Sequence, residues 1–387
     1  MNAIVLGNGR SGRAAAELLR REGARVAVLD GNDAWPGGAC DLCVTSPGIP
    51  LDHPWQAAAR AAGVKVISEL QLGVSRWNGR MLAVTGSKGK SSVVKLIADT
   101  LNLAGVPATP CGNYGTPLCE VANRRGDGVG AWAVVEVSSF QMETTDDFHP
   151  DAAAILNLQE DHLDRHGGVE AYHALKRKML AGAKKACVPD EADVPLLRGS
   201  YFDNAVLRPN GLIAVALMRE AGLDDAQIEA GFRAFEPLPH RMQTVAEIGG
   251  VRYVDDSKAT SLAALAAGVA MCGRPVLLIA GGLAKGDDPK TVIPCLRSGA
   301  KKVYLIGRCA DQFLSAWREA VPCEACGTLD RAVAAARRDA VSGDAVLLSP
   351  GAASFDQFDS YGVRGDAFAS FVCAEARRGE PDTTKQG

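Results

Sequence analysis

Short apolar runs that give way repeatedly to alanine-rich stretches of helical spacing constrain the fold of this chain more than any other feature. Runs at residues 3–6, 25–29, 43–45 and 65–67 alternate with such stretches up to about residue 78, the pattern of strands feeding helices in a parallel sheet. A second series opens at 81–84 and continues through 132–137 and 152–158, with a helix over 92–103 that places Val93, Leu96, Ile97 and Leu101 on one face. After Pro237-Leu238-Pro239 a third series begins, with strands expected at 252–254, 275–280, 302–306 and 345–348. The fold class is therefore α/β, and 387 residues at about 150 per domain leave room for two or three domains. The three series divide the chain at 1–78, 79–236 and 237–387, and the polar tail over 377–387 is expected to fray.

Charge excludes some partners. With 42 Lys and Arg against 45 Asp and Glu, a net of −3, the chain lacks the electrostatic footprint of a protein that binds nucleic acid or an anionic membrane surface. Any polyanion must meet a local site. The start, Met1-Asn2-Ala3-Ile4-Val5-Leu6, has no basic leader region, and no apolar run approaches the ~18 residues of a membrane span, so a cytoplasmic location without membrane insertion is expected. The 11 cysteines follow no repeating frame and read as reduced thiols. Cys40/Cys43 and Cys323/Cys326 lie too far apart in sequence for a zinc ribbon and are taken as core thiols.

Gly7-Asn8-Gly9-Arg10-Ser11-Gly12 follows an expected strand and opens an expected helix, with Asp30 at the end of the next strand. The glycines allow phosphate to approach helix N-terminal amides, as in dinucleotide sites, although any nucleotide diphosphate or a purely structural turn fits the same pattern. Thr85-Gly86-Ser87-Lys88-Gly89-Lys90-Ser91-Ser92 stands between a strand and an amphipathic helix. Such a loop cradles phosphates with backbone N–H groups, brings a lysine to the β- and γ-phosphates and offers a hydroxyl to Mg²⁺; this one is a shortened variant, without a glycine at Val84.

Glu136 interrupts the apolar run Ala133-Val134-Val135-Glu136-Val137, where a buried parallel strand should be continuously apolar. A carboxylate there needs a partner, and a metal beside the phosphate loop is the economical one. Glu160-Asp161-His162-Leu163-Asp164-Arg165-His166 follows the next strand and is dense in metal-capable side chains, with an ordinary acidic loop as the alternative. Lys176 falls on the inward stripe of a helix expected over 169–180. It either snorkels outward or is held uncharged by burial, and an uncharged amine reacts with carbon dioxide to give a carbamate. In the third segment Leu238-Pro239-His240-Arg241, Asp255–Thr260, Gly281–Lys285 and Ser349–Phe358 form four polar loops expected to converge on one crevice, with Arg241 supplying charge to a polyphosphate.

Taken together these motifs resemble the Mur ligases, over nearly the whole chain. The resemblance is carried by Ser46-Pro47-Gly48-Ile49-Pro50, residues 86–92, Gly112-Asn113-Tyr114-Gly115, Glu136-Val137-Ser138-Ser139-Phe140-Gln141, residues 160–165, residues 238–241, residues 256–260 and residues 349–358. Ser-Ser-Phe-Gln and Ser-Phe-Asp-Gln-Phe resemble the branch that adds D-glutamate to UDP-N-acetylmuramoyl-L-alanine in cytoplasmic peptidoglycan precursor synthesis. A related ligase taking L-glutamate or another acceptor, and a UDP-sugar-binding paralogue without turnover, are the alternatives. The architecture implied has three domains: a Rossmann-like N-terminal domain that binds UDP, a central ATP-binding domain of the P-loop type, and a Rossmann-like C-terminal domain that binds the amino acid.

The chemistry implied is amide formation through an acyl phosphate, releasing ADP and phosphate. By resemblance Gly86, Ser87, Lys88, Gly89, Lys90, Ser91 and Ser92 hold the ATP phosphates, while Asn210, Arg241 and Asp256 hold its base, phosphates and ribose. Ser91 and Glu136 hold one Mg²⁺, and Glu136, His162 and carbamylated Lys176 a second. Lys90, Glu136, His162 and Lys176 form the catalytic set. Arg10, Ser11 and Asp30 match the uridine-diphosphate end, which sets nicotinamide aside, and Asn113 and Ser138 match further substrate positions. Lys285, Ser354 and Tyr361 match positions that grip glutamate, with Thr260 nearby. The protein is expected to act as a monomer. Against typical relatives, only 33 residues separate Lys176 from Asn210, so part of the central sheet is expected to be missing. Val206-Leu207 replaces the usual His-Asn, Lys88 stands where Asn is common, and Tyr361 stands where many relatives have Phe.

Overall fold

The computed structural model describes the chain except for residues 38–39, 126–127 and 379–387. The chain divides into two compact units, Met1–Phe235 and Glu236–Gly387. The first unit carries two sheets and the second carries one.

In the first sheet, β1 (Asn2–Leu6), β2 (Arg25–Leu29), β3 (Leu42–Thr45) and β4 (Val66–Ser68) run parallel in the order β2-β1-β3-β4. Strand order reverses between β1 and β3, which opens a crevice at their carboxyl ends. Alternate residues of β1 feed opposite faces: Ala3 and Val5 pack with the helix Arg10–Arg21, whereas Ile4 and Leu6 pack with Trp55 and Ala59 of the helix Pro54–Ala61.

The second sheet contains β5 (Arg80–Thr85), β6 (Ala108–Gly112), β7 (Trp132–Glu136), β8 (Ala152–Ile155) and β9 (Lys185–Ala186), again parallel, in the order β6-β7-β5-β8-β9. Its two faces have separate cores. Leu82, Val84 and Val134 meet Val93, Leu96, Ile97 and Leu101 of the helix Lys90–Leu103, and Met81, Ala83 and Val135 meet Leu118, Val121 and Met179 on the other side. Burial on both faces explains the near-continuous apolar runs of these strands. The run expected at 152–158 is strand only to Ile155, because the chain then turns to serve the phosphate loop.

The second unit holds β10 (Gln243–Ile248), β11 (Val251–Asp255), β12 (Val276–Gly281), β13 (Ala300–Ile306), β14 (Cys323–Gly327) and β15 (Ala345–Leu348), in the order β10-β11-β15-β12-β13-β14. All neighbours are parallel except the β10–β11 hairpin, whose turn residues Gly249 and Gly250 both have positive φ, 58° and 77°. That geometry matches a right-twisted two-residue hairpin and favours glycine. Just as they missed β6 and β9 at the edges of the second sheet, the expectations here missed β10 and β14. Both are edge strands: β10 exposes Gln243, Thr244 and Glu247, and the Cys-Glu-Ala-Cys-Gly sequence of β14 is poor in β-branched residues.

The helix Tyr361–Arg378 extends through 377 and 378, which were expected to fray; the rest of that tail lies outside the described residues. All 11 cysteines are free. Among the described residues no helix is long and apolar enough to cross a membrane.

Candidate active site

The phosphate loop leaves β5 at its carboxyl end and enters the helix Lys90–Leu103 through Gly89. Gly89 has φ +87°, and a Cβ there would stand 2.3 Å from Nδ2 of Asn210, which is buried on the helix Arg208–Glu220. The loop is therefore closed against Asn210 by a residue that has to be glycine. Asn157, just beyond β8, fixes its shape. Its Oδ1 accepts the backbone N–H groups of Ser87 and Lys88 at 3.1 and 2.8 Å, and its Nδ2 donates to the Lys88 carbonyl at 2.9 Å. Ser87 Oγ donates to Gln159 O at 2.9 Å and accepts from Gln159 N at 3.0 Å. Aligned amides at a helix start favour a bound anion.

Charge is concentrated around this loop. Lys90 Nζ donates to the carbonyls of Gly86 and Ser87 at 2.8 and 3.1 Å, and Lys88 Nζ pairs with Asp161 at 3.2 Å. Lys176, on the helix Val169–Ala181, is 1% exposed and donates to the Gly86 carbonyl at 2.9 Å, with its Nζ 4.4 Å from the ring centre of Tyr172. Burial, reinforced by Lys90 and opposed by Asp161 and Glu136, pushes its pKa down to about 7. Of the two readings its place on the helix leaves open, the lysine takes the inward one and does not snorkel.

Glu136, the last residue of β7, is 2% exposed. Its Oε1 accepts from Asn113 Nδ2 at 2.6 Å, and Asn113 N also donates to the Glu136 carbonyl at 2.9 Å. Oε2 is buried and has no hydrogen-bond partner. An orphaned carboxylate oxygen beside a phosphate loop fits a hard divalent cation. His162 has φ 54° and a half-exposed ring 4.8 Å from Phe140 and 6.4 Å from Tyr172, centre to centre. Among the described residues no three His, Cys, Asp and Glu side chains gather into a metal-holding group. The expected ligand set is of another kind, combining a carboxylate, a hydroxyl, an imidazole and a modified amine. Ser91 is half-buried and Ser92 buried at the helix start.

Ser138 has a local structural task. Its Oγ accepts from Gln141 N at 3.2 Å while the Gln141 side chain returns to Ser138 N at 2.9 Å, a capping box that starts the helix Ser139–Met142. In the first sheet, a Cβ on Gly12 would lie 1.8 Å from the Gly7 carbonyl, so only glycine lets the helix approach the β1 loop. Arg10 Nη1 donates to Gly115 O at 2.5 Å, while Asp30 is exposed and Ser11 half-buried.

The second unit gathers its own polar loops. Ser349 Oγ donates to the buried Asp256 at 2.8 Å, and burial pushes that carboxyl up to about 7, against the pull of its hydrogen bonds and of Arg241. Lys285 Nζ donates to Thr260 Oγ1 at 3.2 Å, and Lys258 Nζ lies 3.9 Å from the ring centre of Tyr361. Lys258 N donates to His240 O at 3.1 Å, so the loop of Arg241 meets that of Asp256. Leu283 and Ala353 exchange backbone hydrogen bonds at 2.8 and 2.9 Å, which brings the Lys285 and Ser354 loops side by side. The four polar loops of this segment thus come together.

Comparison with known proteins gives the family. The Mur ligase middle domain matches residues 84–193, and the Mur ligase glutamate ligase domain matches residues 240–351. The chain is 35% identical to the UDP-N-acetylmuramoylalanine--D-glutamate ligase of Acidobacterium capsulatum, covering 96% of each chain, and 37% identical to the ligase of the same name from Frankia casuarinae, covering 96% of this chain and 93% of that one. The chain belongs to the Mur ligase family. Among solved structures it is similar to the UDP-N-acetylmuramate-alanine ligase MurC of Thermotoga maritima, with TM-score 0.63, 14% identity and coverage of 98% of this chain and 100% of that one.

Mur ligases are ATP-dependent enzymes that form amide bonds, and this chain is a ligase of that kind. The alignment with the Acidobacterium protein extends over 444 positions against 387 residues here, so that relative carries segments this Mur ligase lacks. Asn157 is the site residue that sequence reasoning missed. Its one sequence signal is a polar side chain inside the apolar run 152–158, which the structure places just beyond the end of β8, at the sheet edge where α/β sites lie.

Proposed function

We propose that this Mur ligase joins D-glutamate to UDP-N-acetylmuramoyl-L-alanine, using ATP to activate the muramoyl-alanine carboxylate as an acyl phosphate. The observation that carries the reading is the orphaned Glu136 Oε2, buried at the end of β7 beside a phosphate loop that Asn157 holds in shape. The printed names of the relatives support the choice of substrates.

In the first step a carboxylate oxygen of the nucleotide sugar attacks the γ-phosphorus, and the bond to ADP breaks. The amides of residues 86–92 and the Lys90 ammonium hold the phosphates in line, with Asn210, Arg241 and Asp256 assigned to the rest of ATP. Ser91 and Glu136 are the residues to hold one Mg²⁺, with Glu136, His162 and carbamylated Lys176 for a second; such ions neutralise the charge that gathers on the transferring phosphoryl group. The carbamate forms when the uncharged Lys176 amine adds carbon dioxide and releases a proton. In the second step the glutamate nitrogen attacks the acyl carbon, and the tetrahedral intermediate expels phosphate as the nitrogen loses its proton. Lys285, Ser354, Tyr361 and Thr260 are the residues to grip that glutamate.

Arg10, Ser11 and Asp30 are the candidates for the uridine diphosphate, at the crevice between β1 and β3, with Asn113 and Ser138 further along the substrate. The segments 1–78, 79–236 and 237–387 then divide the work into UDP, ATP and amino-acid binding. The reading takes the enzyme as a cytoplasmic monomer, which sedimentation of the purified chain tests.

The deciding experiment measures phosphate release with UDP-N-acetylmuramoyl-L-alanine, ATP and Mg²⁺, adding D- or L-glutamate in parallel. Release and amide product with D-glutamate alone is expected. Turnover with L-glutamate alone would replace the acceptor, and binding of the nucleotide sugar without turnover by either isomer would overturn the ligase reading in favour of a binding protein.

A further inference from the structure

Ser354-Phe355-Asp356-Gln357-Phe358 contains two polar side chains, Asp356 and Gln357, that the proposed reaction leaves without a task. Both reach out of their own loop. Asp356 Oδ2 accepts the backbone N–H of Arg308, just past β13, at 2.9 Å. Gln357 Nε2 donates at 2.8 Å to the carbonyl of Gly327, the last residue of β14, and the same oxygen takes the N–H of Gly307 at 3.0 Å. The fit is close: a Cβ on Gly307, where φ is +69°, would come within 2.3 Å of Asp356 Oδ2 and 2.7 Å of Gly282 Cα. Cys309 N in turn donates to Gly282 O at 2.9 Å.

At its near end the same loop is held by the reciprocal Leu283–Ala353 bonds. The loops after β12, β13, β14 and β15 therefore make one hydrogen-bonded shelf along the carboxyl edge of the sheet, the edge where α/β proteins bind ligands. Lys285 and Ser354 sit on it, each within two residues of the Leu283–Ala353 join. Asp356 is half-buried and Gln357 exposed, so neither fills the core.

The geometry points to Asp356 and Gln357 as positioning residues for the amino-acid acceptor, fastening the Ser354 loop to the loops after β13 and β14 so that Ser354 is held in place relative to Lys285. The inference rests on the reading above that Ser354 and Lys285 grip the acceptor. A loop released from these bonds has to be ordered when the amino acid binds, and that cost falls on acceptor binding and not on phosphoryl transfer from ATP.

The test uses the full chain in steady-state phosphate release, with KM determined separately for glutamate, ATP and the nucleotide sugar, and with the melting temperature of each variant. Asp356→Ala and Gln357→Glu, the second an isosteric loss of the donor, are each expected to raise the glutamate KM about tenfold, the effect of one lost hydrogen bond, while kcat and the other two KM values stay within about twofold. Asp356→Asn keeps an oxygen for Arg308 N–H and is expected to restore a KM near that of the wild type. If Asp356→Ala folds poorly, Gln357→Glu at an exposed side chain carries the test. A rise in glutamate KM for Ser354→Ala but not for Asp356→Ala or Gln357→Glu overturns the positioning role alone. An equal rise in all three KM values with a lower melting temperature overturns it in favour of a structural role. An unchanged glutamate KM in both Ser354→Ala and Lys285→Ala overturns the acceptor reading, and the positioning role with it.

Discussion

Lys90 and Lys176 donate to the same carbonyl oxygen, that of Gly86, at 2.8 and 2.9 Å. Two amines on one acceptor repel when both are charged, and of the two only Lys176 is fully buried, so its pKa falls to about 7. Sequence places these residues 86 positions apart; the fold brings them to one atom.

A buried amine beside Glu136 that loses its proton near neutral pH is suited to carry a carbamate. Lys176→Ala is expected to lower turnover by about 100-fold or more, the scale of losing a metal-supporting group, and added short carboxylates such as acetate or formate should restore part of it. Lys176→Arg should not be rescued, because the guanidinium keeps its charge and fills the space. The check is phosphate release with and without the added acid; wild-type turnover by the alanine variant would remove the carbamate from the mechanism.

Gly89→Ala meets two obstacles at once: a φ of +87° and an Asn210 amide 2.3 Å from the new Cβ. The left-handed conformation costs about 1–2 kcal/mol for a residue with a side chain, and displacing Asn210 disturbs the phosphate loop. The variant should melt several degrees lower and bind ATP at least about tenfold more weakly, measured by calorimetry. Unchanged ATP affinity would show that the contact between Asn210 and the loop is irrelevant to the nucleotide.

Sequence reveals the parts of this site that break a local rule. Glu136 stands out because it interrupts an apolar strand, Lys176 because it falls on an inward helical stripe, and the phosphate loop because its glycines and lysines sit between a strand and a helix. Asn157 interrupts the apolar run 152–158 only near its end, and its two bonds to the loop amides cross about 70 residues of chain, so its task is seen only in the folded sheet. The same holds for Arg10 and Gly115, 105 positions apart. Edge strands such as β10 and β14 escape because their sequences, Gln-Thr-Val-Ala-Glu-Ile and Cys-Glu-Ala-Cys-Gly, carry neither a continuous apolar run nor a period-two apolar signal.

Glu69 predicts a pH dependence of stability. It is buried, its Oε1 accepts from Cys119 N at 2.7 Å and its Oε2 has no partner, so desolvation raises its pKa from 4.5 to about 7. A carboxyl that holds its proton more tightly when folded contributes most below pH 4.5; that contribution is lost as pH rises, and levels off above about 7. A shift of this size corresponds to about 3 kcal/mol. Glu69→Gln should therefore flatten the profile, so that the variant gains on the wild type between pH 5 and pH 8 in denaturant unfolding. Parallel profiles for the two proteins would mean that Glu69 is ionised in the fold without penalty.

Arg165 holds Glu143 with two hydrogen bonds, at 3.0 and 2.6 Å, and extends to the Ile49 carbonyl at 3.2 Å, tying the loop after β3 to the helix that follows His162. Glu143 is almost entirely buried, so Arg165→Ala leaves a carboxylate with little water and is expected to cost about 3 kcal/mol. His166, whose Nδ1 is 3.4 Å from Glu143, is the remaining partner. Burial holds the His166 pKa below its usual value, with Arg165 adding to the effect and Glu143 opposing it. Removing Arg165 lets His166 take a proton more readily and pair with Glu143. The loss of stability in Arg165→Ala should accordingly be smaller at pH 5.5 than at pH 8, and Arg165→Ala/His166→Phe should lose that relief. Urea unfolding of both variants at the two pH values decides it: an equal loss at both would show that His166 does not take over the carboxylate.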